Sequence, residues 1–205
     1  MTPHLIVIDN RDSFTFNLVY ELEALGATVE VYRNDVPLPF LLARAGALRA
    51  SFVLSPGPGT PRDAGVCIEL VRAASGRFGV LGICLGHQAI VEACGGRVGA
   101  AREIVHGRAS TIACSAHALF DGLPRNLSVA RYHSLAALAL PDTLEALAFT
   151  GDGTVMAVAH RRARVAGLQF HPESILTNDG RALLANALAW LNAGMKKEKR
   201  HAAPA

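Results

Sequence analysis

The chain has 205 residues, 51% of them apolar and 18% charged, with a formal net charge of +3. This excludes a largely disordered protein and suits one domain with a sizeable core. Basic residues are scattered outside the tail Lys196-Lys197-Glu198-Lys199-Arg200, so no nucleic-acid footprint is expected. Cys67, Cys84, Cys94 and Cys114 are too dispersed for a zinc site or a disulfide framework, and no metal site is expected.

The N-terminus runs directly into Leu5-Ile6-Val7-Ile8 without a basic leader. That run is too short for a signal peptide or a membrane span, which makes a cytoplasmic protein the expectation. Leu5–Asp9 reads as a buried strand, and Ser13 as the N-cap of a helix through Leu25 closed by Gly26. Thr28–Tyr32 is a second strand, Leu38–Leu48 a helix, and Phe52–Leu54 a third strand entering Ser55-Pro56-Gly57-Pro58-Gly59. Asp63–Ala74 reads as a helix, followed by the strand Val80–Ile83 and a helix to about Cys94.

Strands alternating with helices predict a parallel sheet covered on both faces, with the active site at the strand carboxyl ends. After Gly95-Gly96 the pattern changes. Val98–Val105, Ser110–Cys114, Leu127–Tyr132, Leu144–Thr150, Thr154–His160 and Val165–Phe170 read mostly as strands, with a hairpin turn at Gly151-Asp152-Gly153. A last helix spans about Gly180 to Leu191. The expected fold is α/β: an open, mostly parallel sheet flanked by helices, with an antiparallel portion from the second half. One domain over residues 1–194 would carry it, with residues 195–205 a solvated tail.

The stretch Gly82-Ile83-Cys84-Leu85-Gly86 has the pattern of a nucleophile elbow with cysteine in place of serine. A tight strand-to-helix turn crowds the backbone, so glycine is wanted on either side of the nucleophile. The helix that follows would point its amides and positive dipole end at the sulfur. A buried cysteine that only packs is the alternative, so the reading depends on a base and an oxyanion hole elsewhere.

His171 supplies the base: it follows the apolar strand Gly167–Phe170 and precedes Pro172 and Glu173. In extended chain, residues i and i+2 project to one side. Glu173 is therefore expected to hold Nδ1 of His171 and leave Nε2 for the thiol. The amide of Leu85 is one natural oxyanion donor, and the Gly57 loop, stiffened by Pro56 and Pro58, is the candidate for the second.

Ser55–Gly59, Gly82–Gln88 and Phe170-His171-Pro172-Glu173-Ser174 together resemble the class I (triad-type) glutamine amidotransferases, over about Leu5 to Leu191. Within that family the chain is most similar to the amidotransferase subunits of anthranilate synthase, and next to those of para-aminobenzoate synthase. The finer likeness rests on Asp9–Thr15, His106-Gly107-Arg108 and Arg131–Leu135.

The resemblance implies Cys84 as nucleophile, His171 as general acid/base and Glu173 as its orienter. It also implies glutamine held by Gly57, Pro58, Gly59, Gln88 and the backbone of Ser134 and Leu135. A large synthase subunit would bind chorismate with magnesium, leaving this chain with no cofactor of its own. Asp12, Ser13, Phe14, His106 and Arg108 would meet that subunit; many relatives carry lysine where Arg108 stands, which keeps the charge but changes its shape. The rival readings are a free-standing glutaminase or γ-glutamyl hydrolase using the same triad, and a redox sensor built on Cys84 alone.

Overall fold

The computed structural model describes residues 2–193, so the basic tail read for residues 195–205 lies outside the described residues. The run Leu5–Ile8 builds the first strand, β1 (His4–Asp9), and its alternation divides the interior in two. Leu5 and Val7 face one side with Val53, Leu81 and Ile83; Ile6 and Ile8 face the other with Phe52, Leu54 and Val80. A strand covered on both faces needs no polar face, which is why these segments read as continuous apolar runs.

The first face is covered by α1 (Thr15–Ala24) and α5 (Gly180–Ala193) through Leu18, Leu22, Leu184 and Leu188. The second is covered by α2 (Leu38–Leu48), α3 (Cys67–Ala74) and α4 (Leu85–Ala93) through Leu41, Leu70 and Ile90. The parallel part comprises β1, β2 (Thr28–Arg33), β3 (Ser51–Leu54) and β4 (Val80–Ile83).

The second half adds β5 (Arg97–Ala100), β6 (Arg108–Cys114), β7 (Asn126–Arg131), β8 (Leu135–Ala139), β9 (Leu144–Thr150), β10 (Val155–His160) and β11 (Val165–Leu168). The main sheet runs β2-β1-β3-β4-β11-β10-β9-β6-β7, while β5 and β8 pair separately. Strand β11 is the hinge of the architecture. It lies parallel to β4 on one side and antiparallel to β10 on the other. The last residue of β11, Leu168, is in register with Ile83, so the segments carrying Cys84 and His171 leave the sheet side by side.

Several boundaries differ from the sequence reading, each for a local reason. Ser13 is exposed and does not cap α1. Among the described residues no side chain caps the first turn; the loop before it is held by Asp9, whose Oδ1 accepts from the Arg11 amide at 2.8 Å and from Thr15 Oγ1 at 2.9 Å, while Asp12 Oδ1 accepts from the Phe14 amide at 2.7 Å. The helix expected over Asp63–Ala74 starts only at Cys67, after a short 3-10 turn at Pro61–Asp63. Gly65 interrupts it with φ +54°, packed so close to Asn34 that a Cβ would lie 2.1 Å from the Asn34 carbonyl oxygen.

The strand expected over Val98–Val105 ends at Ala100, because its partner β8 pairs only that far. The sequence reading missed β8 altogether, since the alanines of Leu135-Ala136-Ala137-Leu138-Ala139 carry little strand propensity.

Candidate active site

Cys84 stands between β4 and α4 at φ +50° and ψ −101°, a conformation that costs a non-glycine residue roughly 1–3 kcal/mol. Its two flanking glycines are sterically required. A Cβ on Gly82 would sit 2.3 Å from the Gly86 carbonyl oxygen, and one on Gly86 would sit 2.4 Å from the Leu54 carbonyl oxygen. The elbow is therefore closed on itself and pressed against the end of β3.

The Gly57 loop leaves β3 beside this elbow. A Cβ on Gly57 would meet Asn10 Cβ at 2.5 Å and Leu85 Cδ2 at 2.7 Å, so the loop backbone lies directly on the first residue of α4. Asn10 holds the loop from the other side: its amide donates to Ser55 Oγ and its Nδ2 to the Ser55 carbonyl, both at 2.9 Å. Sequence reasoning gave Asn10 and Ser55 no such part. Pro58 and Gly59 are exposed and line a cleft of about 490 Å³ with Asn10, Asn34 and Leu85; Cys84, Gln88 and Leu135 do not line it.

His171 follows β11, and its Nδ1 lies 2.7 Å from Glu173 Oε1, both side chains being buried. Its Nε2 is buried too and makes no aligned hydrogen bond, but the Cys84 thiol is close enough to act on it. Burial is the largest influence on His171 and opposes a charge there. Hydrogen bonding and negative charge from Cys84 and Glu173 together outweigh it and raise the pKa to about 10. The other three thiols are set apart: burial pushes Cys67 up to about 12 and Cys114 to about 11, and also raises Cys94.

Gln88, one turn into α4, is buried and its amide nitrogen is already engaged. Nε2 donates to the Leu135 carbonyl at 3.1 Å and to Gln169 Oε1 at 3.2 Å. Only the oxygen of this amide is left to meet a substrate. The Leu135 carbonyl is likewise taken, since His133 Nδ1 also lies 2.9 Å from it, and the Ser134 carbonyl accepts from the Ala101 amide at 2.8 Å. Gln169 was not foreseen. It is fully buried, its Nε2 lies 3.7 Å from Cys84 Sγ, and its position two residues before His171 was the only signal in the sequence.

Of the residues read as a partner surface, Ser13, His106 and Arg108 are exposed, while Asp12 and Phe14 are half-buried. Phe14 and Tyr132 both pack edgewise on the His171 ring, at centroid distances of 5.3 and 5.1 Å. His106 meets Tyr132 edge-on at 5.6 Å, so that surface reaches His171 through one aromatic cluster. Arg108 pairs at 2.7 Å with Glu103, also exposed. Among the described residues no cluster of side chains suits a metal ion, and no helix is long and apolar enough to cross a membrane.

A cysteine on an elbow, a histidine oriented by a glutamate and a loop over the helix start make an arrangement that can carry out thiol-dependent acyl transfer on an α/β sheet. The class-I glutamine amidotransferase family profile matches residues 6–190, and the chain belongs to that family. It is 51% identical over 203 residues to anthranilate synthase component 2, pyocyanine specific, of Pseudomonas aeruginosa, covering 97% of this chain and 99% of that one. It is also 51% identical over 187 residues to aminodeoxychorismate synthase of Streptomyces griseus, covering 88% of this chain and 25% of that protein. A solved structure from Thermoplasma acidophilum, provisionally described as part of a GMP synthase, superposes with a TM-score of 0.87 at 23% identity. The match covers 98% of this chain and 99% of that one and speaks for the fold alone.

Proposed function

We propose that this chain hydrolyses glutamine through a Cys84 thioester and delivers the ammonia to a chorismate-using synthase subunit, most closely that of anthranilate synthase. The observation that carries the chemistry is the placing of Cys84, His171 and Glu173 at adjacent strand ends. The thiolate attacks the side-chain amide of glutamine, and the amides of Leu85 and Gly57 receive the developing oxyanion. His171, held as the imidazolium, gives its proton to the departing ammonia.

Acylation then removes the sulfur's charge and its hydrogen bond, two of the influences that raise His171. Its pKa falls towards neutrality at the moment when a base is needed, and it activates the water that releases glutamate. Gly57, Pro58, Gly59, the Gln88 oxygen, and the backbone of Ser134 and Leu135 hold the substrate in this reading. The chain uses no metal or cofactor of its own, magnesium belonging with chorismate in the partner, and it acts in the cytoplasm.

Full-length similarity to a component 2 supports a partnered subunit making anthranilate. The equal identity to aminodeoxychorismate synthase keeps a para-aminobenzoate partner as the second reading. The test combines the chain with an anthranilate synthase large subunit, chorismate, magnesium and either glutamine or an ammonium salt. With Cys84→Ala the glutamine-dependent synthesis is expected to vanish and the ammonium-dependent synthesis to persist. Rapid glutamine hydrolysis that no synthase subunit can use would replace this reading with a free-standing glutaminase.

A further inference from the structure

Behind the elbow lies a line of buried polar groups, three of which, Arg131, His133 and Gln169, the mechanism above does not use. It starts at Arg131, whose Nε donates to His133 Nε2 at 3.1 Å, and continues from His133 Nδ1 to the Leu135 carbonyl at 2.9 Å. Gln88 Nε2 meets the same carbonyl, then reaches Gln169 Oε1, and Gln169 Nε2 meets Cys84 Sγ at 3.7 Å. All five side chains are buried.

The direction of every bond in this line is dictated by two groups of fixed character, the Arg131 guanidinium and the Leu135 carbonyl. A guanidinium only donates, so His133 Nε2 must accept and Nδ1 must carry the proton. A backbone carbonyl only accepts, so the end of Gln88 facing Leu135 must be the amide nitrogen. The second hydrogen of that nitrogen requires an oxygen on Gln169, which leaves the Gln169 NH₂ turned to the sulfur. Reversing either amide would set two donors or two acceptors face to face in the interior. At the outer end Arg131 is anchored by Ser110 Oγ at 3.4 Å and Glu103 at 3.7 Å.

We infer that Gln169 is a further catalytic residue: it donates an N–H to the Cys84 thiolate, with its polarity imposed by the Leu135 carbonyl through Gln88. The inference deepens the proposed thioester chemistry and rests on it. A hydrogen bond to a charged acceptor favours the ionised form. The donor therefore stabilises the attacking sulfur before substrate arrives, and the oxyanion amides remain free for the substrate oxygen. His133 and Arg131 are positioning residues in this scheme, since neither touches the reacting atoms.

The titratable group facing the sulfur is His171, backed by Glu173. Of the remaining groups, His133 and Arg131 lie two amides away, and His87 lies deeper in α4.

The test reads thiolate formation without substrate or partner. The full chain is alkylated with iodoacetamide over a pH series, and each cysteine peptide is followed by mass spectrometry. Folding of every variant is checked by near-ultraviolet circular dichroism. Gln169→Met keeps the shape and removes the donor, and is expected to move the Cys84 alkylation midpoint up by about one pH unit, near tenfold slower labelling below the midpoint. Gln169→Glu replaces the donor by an anion and should move it further in the same direction. His133→Ala should give a smaller upward shift, because Gln88 still donates to Leu135.

A midpoint unchanged in both folded Gln169 variants would overturn the inference, as would a downward shift in Gln169→Glu. If instead Cys84 of the parent chain labels no faster than Cys67, Cys94 or Cys114, the thioester reading fails. The Gln169 comparison still stands on the Cys84 peptide by itself.

Discussion

The parallel half of the sheet, ending with α4 at Ala93, and the mixed half that follows bring their shares of the active site by different physics. The first half delivers Cys84 by exclusion: Gly57, Gly82 and Gly86 allow backbone to press where any side chain would collide, and the strain at φ +50° is held by that packing. The second half delivers His171, Glu173, Gln169 and His133 by hydrogen bonding, with His171 Nδ1 held by Glu173 and with Gln169 and His133 held in one buried line. Steric exclusion at the elbow writes itself into the five consecutive residues Gly82–Gly86, with Gly57 added from the neighbouring loop. Hydrogen bonding joins residues up to 85 positions apart, as Gln169 is from Cys84, and leaves no compact motif.

The sharpest way to break this division is to remove its meeting point. Cys84→Ala and His171→Ala should each lower glutamine hydrolysis by more than about 10³-fold, because members of one catalytic unit fail together. Glu173→Gln keeps a hydrogen bond but weakens the orientation of His171, and should lose roughly 10²-fold. Glutamate release measured on folded variants decides this, and near-normal turnover in His171→Ala would end the triad assignment. A γ-carbonyl electrophile shaped like glutamine should label Cys84 in preference to Cys67, Cys94 and Cys114, whose thiols burial keeps protonated.

Exclusion itself is tested by stability. Gly86→Ala forces a carbon to within 2.4 Å of the Leu54 carbonyl oxygen, and is expected to lower the unfolding free energy by at least about 3 kcal/mol. Gly26→Ala meets no atom within 4 Å and carries only the backbone strain of φ +86°, which should amount to about 1 kcal/mol. Denaturant titration compares the two. Equal losses would show that the elbow is not sterically closed.

The same division accounts for what the sequence disclosed. The parallel strands, the elbow and the His171–Glu173 spacing were legible because each is set by neighbours within a few residues. Helix α2 matched residue for residue, since Pro37 and Arg49 bound it locally. Ser13 does not cap α1, and the acceptor that holds the loop before it, Asp9, sits six residues before Thr15, at the end of a strand. Strand β8 and the parts played by Asn10, Ser55, Gln169 and Arg131 depend on partners tens of residues away. In the sequence these residues look like ordinary polar positions. The motif Arg131–Leu135 stood out only through family likeness, and nothing in its spacing announced a guanidinium fixing the tautomer of a histidine two residues on.

Buried hydrogen bonding predicts a pH signature. Burial lowers His87 and His133 to about 4, with the Arg131 charge assisting at His133. Both stay neutral in the fold while the unfolded chain takes up protons near 6.5. Stability should therefore be complete above that pH and fall as pH drops from 6.5 towards 4, by on the order of 2–3 kcal/mol for each histidine. His171 runs the other way. Its raised pKa adds stability that is full below 6.5 and disappears as pH climbs through about 10. Unfolding free energies across this range should peak near pH 6.5, and His171→Gln should flatten the alkaline limb alone. An acid limb unaltered by His133→Asn would show that His133 is not held neutral by its surroundings.

The smallest expected effect concerns the outer rim, where the two halves would meet the proposed partner. Phe14, from the parallel half, and Tyr132 with His106, from the mixed half, converge on the His171 ring. A synthase subunit resting on Asp12 and Arg108 would press on that cluster, and stimulation of the glutaminase would follow from a small change in the aim of Nε2. Arg108→Ala removes an exposed ion pair with Glu103, worth at most about 1 kcal/mol, so folding and basal hydrolysis should be almost unchanged. Asp12→Ala removes one backbone contact at the start of α1 and should be nearly as mild. Each should nevertheless weaken binding to the large subunit, or the stimulation it produces, by a few-fold, a difference below about 1.4 kcal/mol. Titrating glutamate release against the large subunit gives both quantities in one experiment. If binding and stimulation are unaltered in both variants, the partner sits elsewhere and the aromatic cluster serves only to pack His171.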